Sequence, residues 1–201
     1  SVFNLINALL GRLVACVHRY GGLVDKFTGD GLMAIFGAPI AHENNAEMAV
    51  RAALDMQRAA AEFTPIARAQ LGAPLQIRIG VHSGPAIAGI LGTTEQAAYT
   101  VIGDTVNLAA RLEALATPGN ILVSTEVYAR TRAFFNFQAK EPVAIKGVDG
   151  LVVTYEVIGK RTSPEAARGI IGVPRLFLGH DAELAQLRTR LTTFMENQQS
   201  Q

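Results

Sequence analysis

Leu23-Val24-Asp25-Lys26-Phe27-Thr28-Gly29-Asp30-Gly31-Leu32-Met33-Ala34-Ile35-Phe36 decides the reading of this chain. Two short runs of strand composition, Leu23 to Thr28 and Leu32 to Phe36, flank Gly29-Asp30-Gly31. Asp-Gly is among the strongest hairpin signals, because both residues tolerate the backbone a tight turn needs. The stretch predicts a β-hairpin with Asp30 at its tip. Gly29-Asp30-Gly31-Leu32-Met33-Ala34 also fits the dinucleotide pattern G-x-G-x-x-G/A. That pattern needs a helix directly after the turn, and a strand follows here, so it is set aside.

Upstream of the hairpin, Leu5, Ile6, Leu9, Leu10, Leu13 and Val17 fall at helical spacing and stop at Gly21-Gly22. Downstream, Glu43 to Gln70 reads as a long Ala-rich helix that Pro65 bends or divides. Leu75 to His82 alternates as a half-buried strand, and Ala86 to Leu91 and Ala98 to Ile102 are strands around a polar Thr93–Gln96 turn. Asp104 caps a helix to about Ala116, which Pro118-Gly119 stops. Asn120 to Ser124 reads as strand and Thr125 to Thr131 as a short helix; Phe134 to Ala139 and Leu151 to Val157 read as closing strands. The class is α+β. A domain of residues 1–159 is expected, then a linker over 160–178 rich in Gly, Ser and Pro, then an amphipathic helix within 179–201 carrying Leu184, Leu187, Leu191 and Phe194.

The 201 residues are 49% hydrophobic and 17% charged, with a formal net charge of +1, which excludes a disordered chain and gives no general pull toward nucleic acid or an anionic membrane. The single Cys16 excludes an internal disulfide framework, and a reducing cytoplasm fits. Leu5 to Val17, interrupted by Asn7 and Arg12, is shorter than the roughly 20 residues that span a bilayer, so no membrane segment is expected. His18, His42, His82 and His180 lack metal-ligand spacing, and no phosphate-binding G-x-x-x-x-G-K-[ST] loop or nucleophile elbow occurs.

What remains is a constellation. Asp30, on a glycine-flanked turn, lets a hydrated Mg²⁺ and a polyphosphate approach closely. Lys26 shares a strand face with Thr28 and Asp30 and can donate to a base or a phosphate. Asn107 and Arg111, four residues apart, share a helix face, with Leu108, Leu112 and Leu115 toward the core. Arginine matches phosphate oxygens in pairs as charge develops on them. Taken singly, each has a plainer reading: Asp30 a turn residue, Lys26 a solvated charge, Asn107 and Arg111 an exposed helix face, Thr100 ordinary strand, and Lys146 a surface residue near a turn.

Lys26 to Gly37, followed by Val101-Ile102-Gly103-Asp104-Thr105-Val106-Asn107-Leu108-Ala109-Ala110-Arg111-Leu112-Glu113, closely resembles the catalytic domain of class III nucleotidyl cyclases, over about residues 1 to 158. The resemblance implies a ferredoxin-like α+β fold, an antiparallel sheet with helices packed on it, active as a head-to-tail homodimer. One protomer then supplies metal carboxylates, the other the base-reading and transition-state residues. It implies that Asp30 is the second of two metal aspartates, that Asn107 orients the ribose, and that Arg111 stabilises the transition state. Lys26 stands where adenylyl cyclases place the lysine for adenine N1; its usual partner is an aspartate seven residues before Asn107, and Thr100 at that position is similar to the subgroup that includes bicarbonate-responsive cyclases. Guanylyl cyclases place Glu and Cys at these two positions, so the pair favours ATP. Lys146, in Ile145-Lys146-Gly147, matches a family lysine for the terminal phosphate. The implied reaction is attack of the ribose 3′-hydroxyl on the α-phosphorus, assisted by two Mg²⁺ or Mn²⁺ ions per site, giving cyclic AMP and pyrophosphate in the cytoplasm.

Two departures limit the resemblance. The family's first metal aspartate lies in a Phe-x-Asp strand ahead of the first helix, and no aspartate precedes Asp25 here. The chain therefore reads as lacking its first strand, with an unpaired sheet edge and little activity alone. At the other end, Val173 to Leu184 looks like the beginning of a downstream ATPase domain. The competing class is a non-catalytic dimerisation or nucleotide-sensing module of a multidomain regulator.

Overall fold

A computed structural model of the chain describes residues 2–91, 98–146, 148 and 150–161. The turn expected at Thr93–Gln96, most of the linker and the C-terminal helix lie outside the described residues.

Helix α1 spans Val2–Arg19 and buries Leu5, Leu9, Leu13, Cys16 and Val17 along one stripe. With 18 residues and a mean hydropathy of 1.2 it is, by length and composition, long and apolar enough to cross a membrane, which the sequence reading did not anticipate. In the fold its stripe is core: Leu9 and Leu13 cluster with Ala60 of helix α2 (Asn45–Glu62). Buried Asp55 on α2 accepts a hydrogen bond from Tyr20 Oη at 2.9 Å and pairs with Arg19 at 3.2 Å and with Arg58. Burial and this carboxylate push the Tyr20 hydroxyl above its ordinary pKa. The long helix is divided as expected, with α3 over Thr64–Leu71 carrying Pro65 in its first turn, where a missing N–H costs nothing.

The hairpin is the one the Asp-Gly signal predicts. Strands β1 (Leu23–Thr28) and β2 (Gly31–Ile35) pair antiparallel, with Thr28 opposite Gly31. It closes on α1 at Gly22, where a Cβ would stand 2.6 Å from the Phe36 ring and 2.8 Å from Val17.

A four-stranded sheet has the order β3-β6-β10-β7, formed by Ile79–Val81, Ile121–Ser124, Thr154–Lys160 and Phe135–Ala139. Its ladders are antiparallel except β3 with β6, which is parallel. Helix α5 (Thr125–Thr131) and α2 cover it around Val50, Ala53, Val123, Val127 and Phe135. β10 runs to Lys160, one residue past the expected domain end. The strand expected over Leu75–His82 is paired only at Ile79–Val81, because the Ile77 carbonyl is taken by Gly119 N–H and the Gln57 amide instead of a neighbouring strand.

Strands β4 (Ile87–Leu91) and β5 (Ala98–Ile102) form a second hairpin, with Gly89 opposite Thr100. Helix α4 (Asp104–Leu115) follows directly. Its cap is Gly103, at φ 138°, and not Asp104, which is the first helical residue. The helix lies on β3. Leu112 and Ala116 are buried with Leu122 and Ile145, while Leu115, expected in the core stripe, is 44% exposed. A short hairpin missed by the sequence reading, β8 (Val143–Ala144) with β9 (Leu151–Val152), carries Ile145 into that cluster.

Among the described residues, β2 pairs only with β1 and β3 only with β6. A cavity of about 250 Å³, lined by Leu32 to Phe36 and Ile79 to Gly84, adjoins both strands.

Candidate active site

Asp30 lies in the turn after Gly29 (φ 70°) and is exposed. The strand alternation that carries Lys26 and Thr28 ends before it, so Asp30 is placed by the turn and not by the strand face. Lys26 lies opposite Met33, but the register slips just before it: Val24 faces Ala34, and Asp25 is left as an extra residue. Adjacent side chains on a regular strand point to opposite faces, and a bulge suspends that rule. Here Lys26 Nζ stands 3.2 Å from Asp25 Oδ2, with the Asp25 side chain 1% exposed and the Lys26 side chain 52%.

Strand β5 lies beside both β1 and the start of α4. The structure thereby gathers the strands bearing Lys26 and Thr100 and the helix bearing Asn107 and Arg111. The Thr100 hydroxyl is buried with no hydrogen-bond partner among the described residues.

On α4, Asn107 is exposed and Arg111 half-buried, on the face away from Leu112. The helix is seated by Gly80 of β3, where a Cβ would meet Glu113 N at 2.2 Å and the Ala109 carbonyl at 2.3 Å. Arg78 pairs with Glu113 at 3.1 Å on the neighbouring turn. Among the described residues no carboxylate pairs with Arg111, so its charge is available to an anion. None forms a hydrogen bond or ion pair between Asp30 and either Asn107 or Arg111. Lys146 is exposed beside buried Ile145, and among the described residues no hydrogen bond or ion pair joins it to the other candidates.

The fit to metal ions is half complete. Asp30 is an exposed carboxylate on an open turn, suited to a hydrated divalent ion. Among the described residues there is no group of three or more His, Cys, Asp or Glu side chains that could hold a metal ion. These residues therefore do not make up a two-ion site.

Two polar features escaped the sequence reading. Asp25 had no visible role, because a bulge has no reliable sequence signal. His82 has Nδ1 2.9 Å from Ser124 Oγ and 3.6 Å from Glu126 Oε2. Burial holds the His82 pKa below its ordinary value, against the opposing pull of Glu126. A cavity of about 560 Å³ lined by Leu54, Gln57, Arg58, Leu75 and Lys160 contains none of the candidate residues.

The family described as Adenylate and Guanylate cyclase catalytic domain matches residues 1–159. The chain belongs to this class III cyclase family. The cyclase domain is 33% identical over 145 residues to Adenylate cyclase 1 of Rhizobium meliloti, covering 71% of this chain but 22% of that protein. The chain thus spans about a fifth of that relative's length. Its fold matches the adenylyl cyclase CyaB of P. aeruginosa with a TM-score of 0.75 and 34% identity, over 80% of this chain and 83% of that one. It matches the guanylate cyclase domain of RhGC from Catenaria anguillulae, a complex with GTP, with a TM-score of 0.72 and 31% identity, over 80% and 85%. The family and the α+β fold are those the two sequence blocks implied. Likeness to adenylyl and guanylyl members alike leaves the choice of base to individual residues.

Proposed function

We propose that this cyclase domain converts ATP to 3′,5′-cyclic AMP and pyrophosphate for intracellular signalling. The observation that carries the reading is the placing of Lys26 on β1 beside β5, the strand of Thr100. An ammonium donates only and a hydroxyl also accepts. Together they suit the ring-nitrogen acceptor and amino donor along one edge of adenine.

In the reaction the ribose 3′-hydroxyl gives up its proton to solvent as its oxygen forms a bond to the α-phosphorus, the bond from that phosphorus to the bridging oxygen breaks, and pyrophosphate leaves. Asn107 orients the ribose, and Arg111 donates to α-phosphate oxygens as charge builds on them. Lys146 meets the terminal phosphate. A divalent ion, Mg²⁺ or Mn²⁺, supplies Lewis-acid polarisation when bound, with Asp30 as the one carboxylate these residues bring to it.

The site is proposed to form between two copies packed head to tail, Asp30 from one and Lys26, Thr100, Asn107 and Arg111 from the other. Two observations support this: the lack of any bond between Asp30 and α4 among the described residues, and the exposure of Phe27, Ile87, Ile90 and Ile102 on the two hairpins. Apolar side chains exposed in this number suit a protein interface. The reaction is placed in the cytoplasm, in keeping with the free Cys16 thiol.

The competing reading is a dimerising or nucleotide-sensing module without turnover, against which the joint presence of Asp30, Asn107 and Arg111 argues. Product analysis after incubating the natural full-length protein with ATP or GTP and Mg²⁺ or Mn²⁺ separates the two. Cyclic AMP supports the enzyme, and nucleotide binding without a cyclic product supports the module.

A further inference from the structure

We propose that Asp25 is a positioning residue for the substrate base: it holds the Lys26 ammonium on β1, beside β5, and so sets purine preference. The inference rests on the reading of Lys26 as the base-facing lysine.

Asp25 is the residue that breaks the β1 register, and its side chain is 1% exposed. Neither carboxylate oxygen has a hydrogen-bond partner among the described residues. Burying a carboxylate this way is costly unless a cation compensates it, whereas a threonine or valine would suit the strand without that cost. The ion-pair partner found is Lys26 Nζ at 3.2 Å, and the bulge is what turns these sequence neighbours toward each other.

A lysine stem has four rotatable carbons, and on an exposed strand its head is free to wander. Anchored to Asp25, the ammonium stays at the strand with protons left for a ligand, since it has three to give. The Thr100 hydroxyl on the adjoining strand is buried and also lacks a partner. The unpartnered Thr100 hydroxyl and the ammonium anchored by Asp25, on neighbouring strands, form a base-reading arrangement in which Asp25 acts through Lys26 and need not touch the nucleotide.

The test uses the natural full-length protein and its Asp25→Asn and Asp25→Glu variants. Asp25→Asn is expected to raise KM for ATP about tenfold, the size of one hydrogen bond to a charged group, with kcat little changed and the ATP-to-GTP preference narrowed. Asp25→Glu is expected to restore most of the preference. In a Lys26→Ala background, Asp25→Asn is expected to change nothing further. An effect of Asp25→Asn that survives undiminished in that background, or a preference equal to wild type, overturns the proposal. If Asp25→Asn does not fold, Asp25→Thr carries the same comparison.

A second readout needs no turnover. The Lys26 ammonium is expected to give a resolved ¹H–¹⁵N signal in the wild type that vanishes in Asp25→Asn, and a signal unchanged by that substitution contradicts the proposal. Absence of cyclic product from the wild type would count against the proposed function while leaving this measurement to decide the role of Asp25.

Discussion

Gly80 of β3 lies directly beneath the backbone of Glu113 on α4, so close that a Cβ at position 80 would stand 2.2 Å from the Glu113 nitrogen. The obstacle is backbone, which cannot rotate away as a side chain can. Helix α4, with Asn107 and Arg111 on its outer face, is thus seated by the absence of one methyl group. Gly80→Ala is expected to destabilise the domain by about 1–3 kcal/mol, the range for overpacking a well-filled contact, and to lower turnover by tilting α4. Urea denaturation together with nucleotide turnover measures both effects.

Arg111→Ala is expected to lower turnover by on the order of 10²–10³, by analogy with loss of a single transition-state donor, with little change in melting temperature. The side chain is only half-buried and no carboxylate among the described residues pairs with it, so its removal leaves no buried charge unpaired. Single-turnover kinetics beside a thermal melt checks this. A large loss of stability would instead mark Arg111 as a structural cation.

Replacing Lys26 and Thr100 together by Glu and Cys, the pair that guanylyl cyclases place at these positions, is expected to shift preference from ATP toward GTP. Competition between the two nucleotides, read as the ratio of cyclic products, measures the shift. An unchanged ratio would remove these two residues from base selection.

The fold and the candidate site were not equally legible in the sequence. The β1–β2 hairpin was readable because Asp-Gly is a local signal, and α4 because its apolar spacing and the Pro118-Gly119 stop are local too. The pairing of β3 was overestimated because Ile77 gives its carbonyl to Gly119 and Gln57, residues remote in sequence. Among the site residues, Asn107 and Arg111 were visible as a helix face. Asp25 was not, since its burial depends on a register slip that only the folded hairpin reveals. The Ser124–His82 contact likewise joins residues 42 positions apart, one on β6 and one just past β3.

His82 gives a pH prediction. Burial lowers its folded pKa below the ordinary 6.5, so the unfolded chain binds the proton more readily. The stability this contributes is fully present above about pH 6.5 and is lost as pH falls from there through the folded pKa. Glu126, whose folded pKa is also lowered, adds a loss at more acid pH, below its ordinary 4.5. Denaturation midpoints are expected to fall between pH 7 and 5.5, and His82→Asn is expected to flatten that slope.

The most direct measurement of the central claim is complementation of the full-length protein between Asp30→Ala and Arg111→Ala, read as cyclic AMP formed from ATP. Each variant alone should be nearly silent. If Asp30 of one copy and Arg111 of the other serve one site, an equal mixture allowed to exchange subunits places one intact site in each mixed dimer. Random pairing then restores about a quarter of wild-type activity. A mixture as silent as its components, although mixed dimers form, would contradict the account.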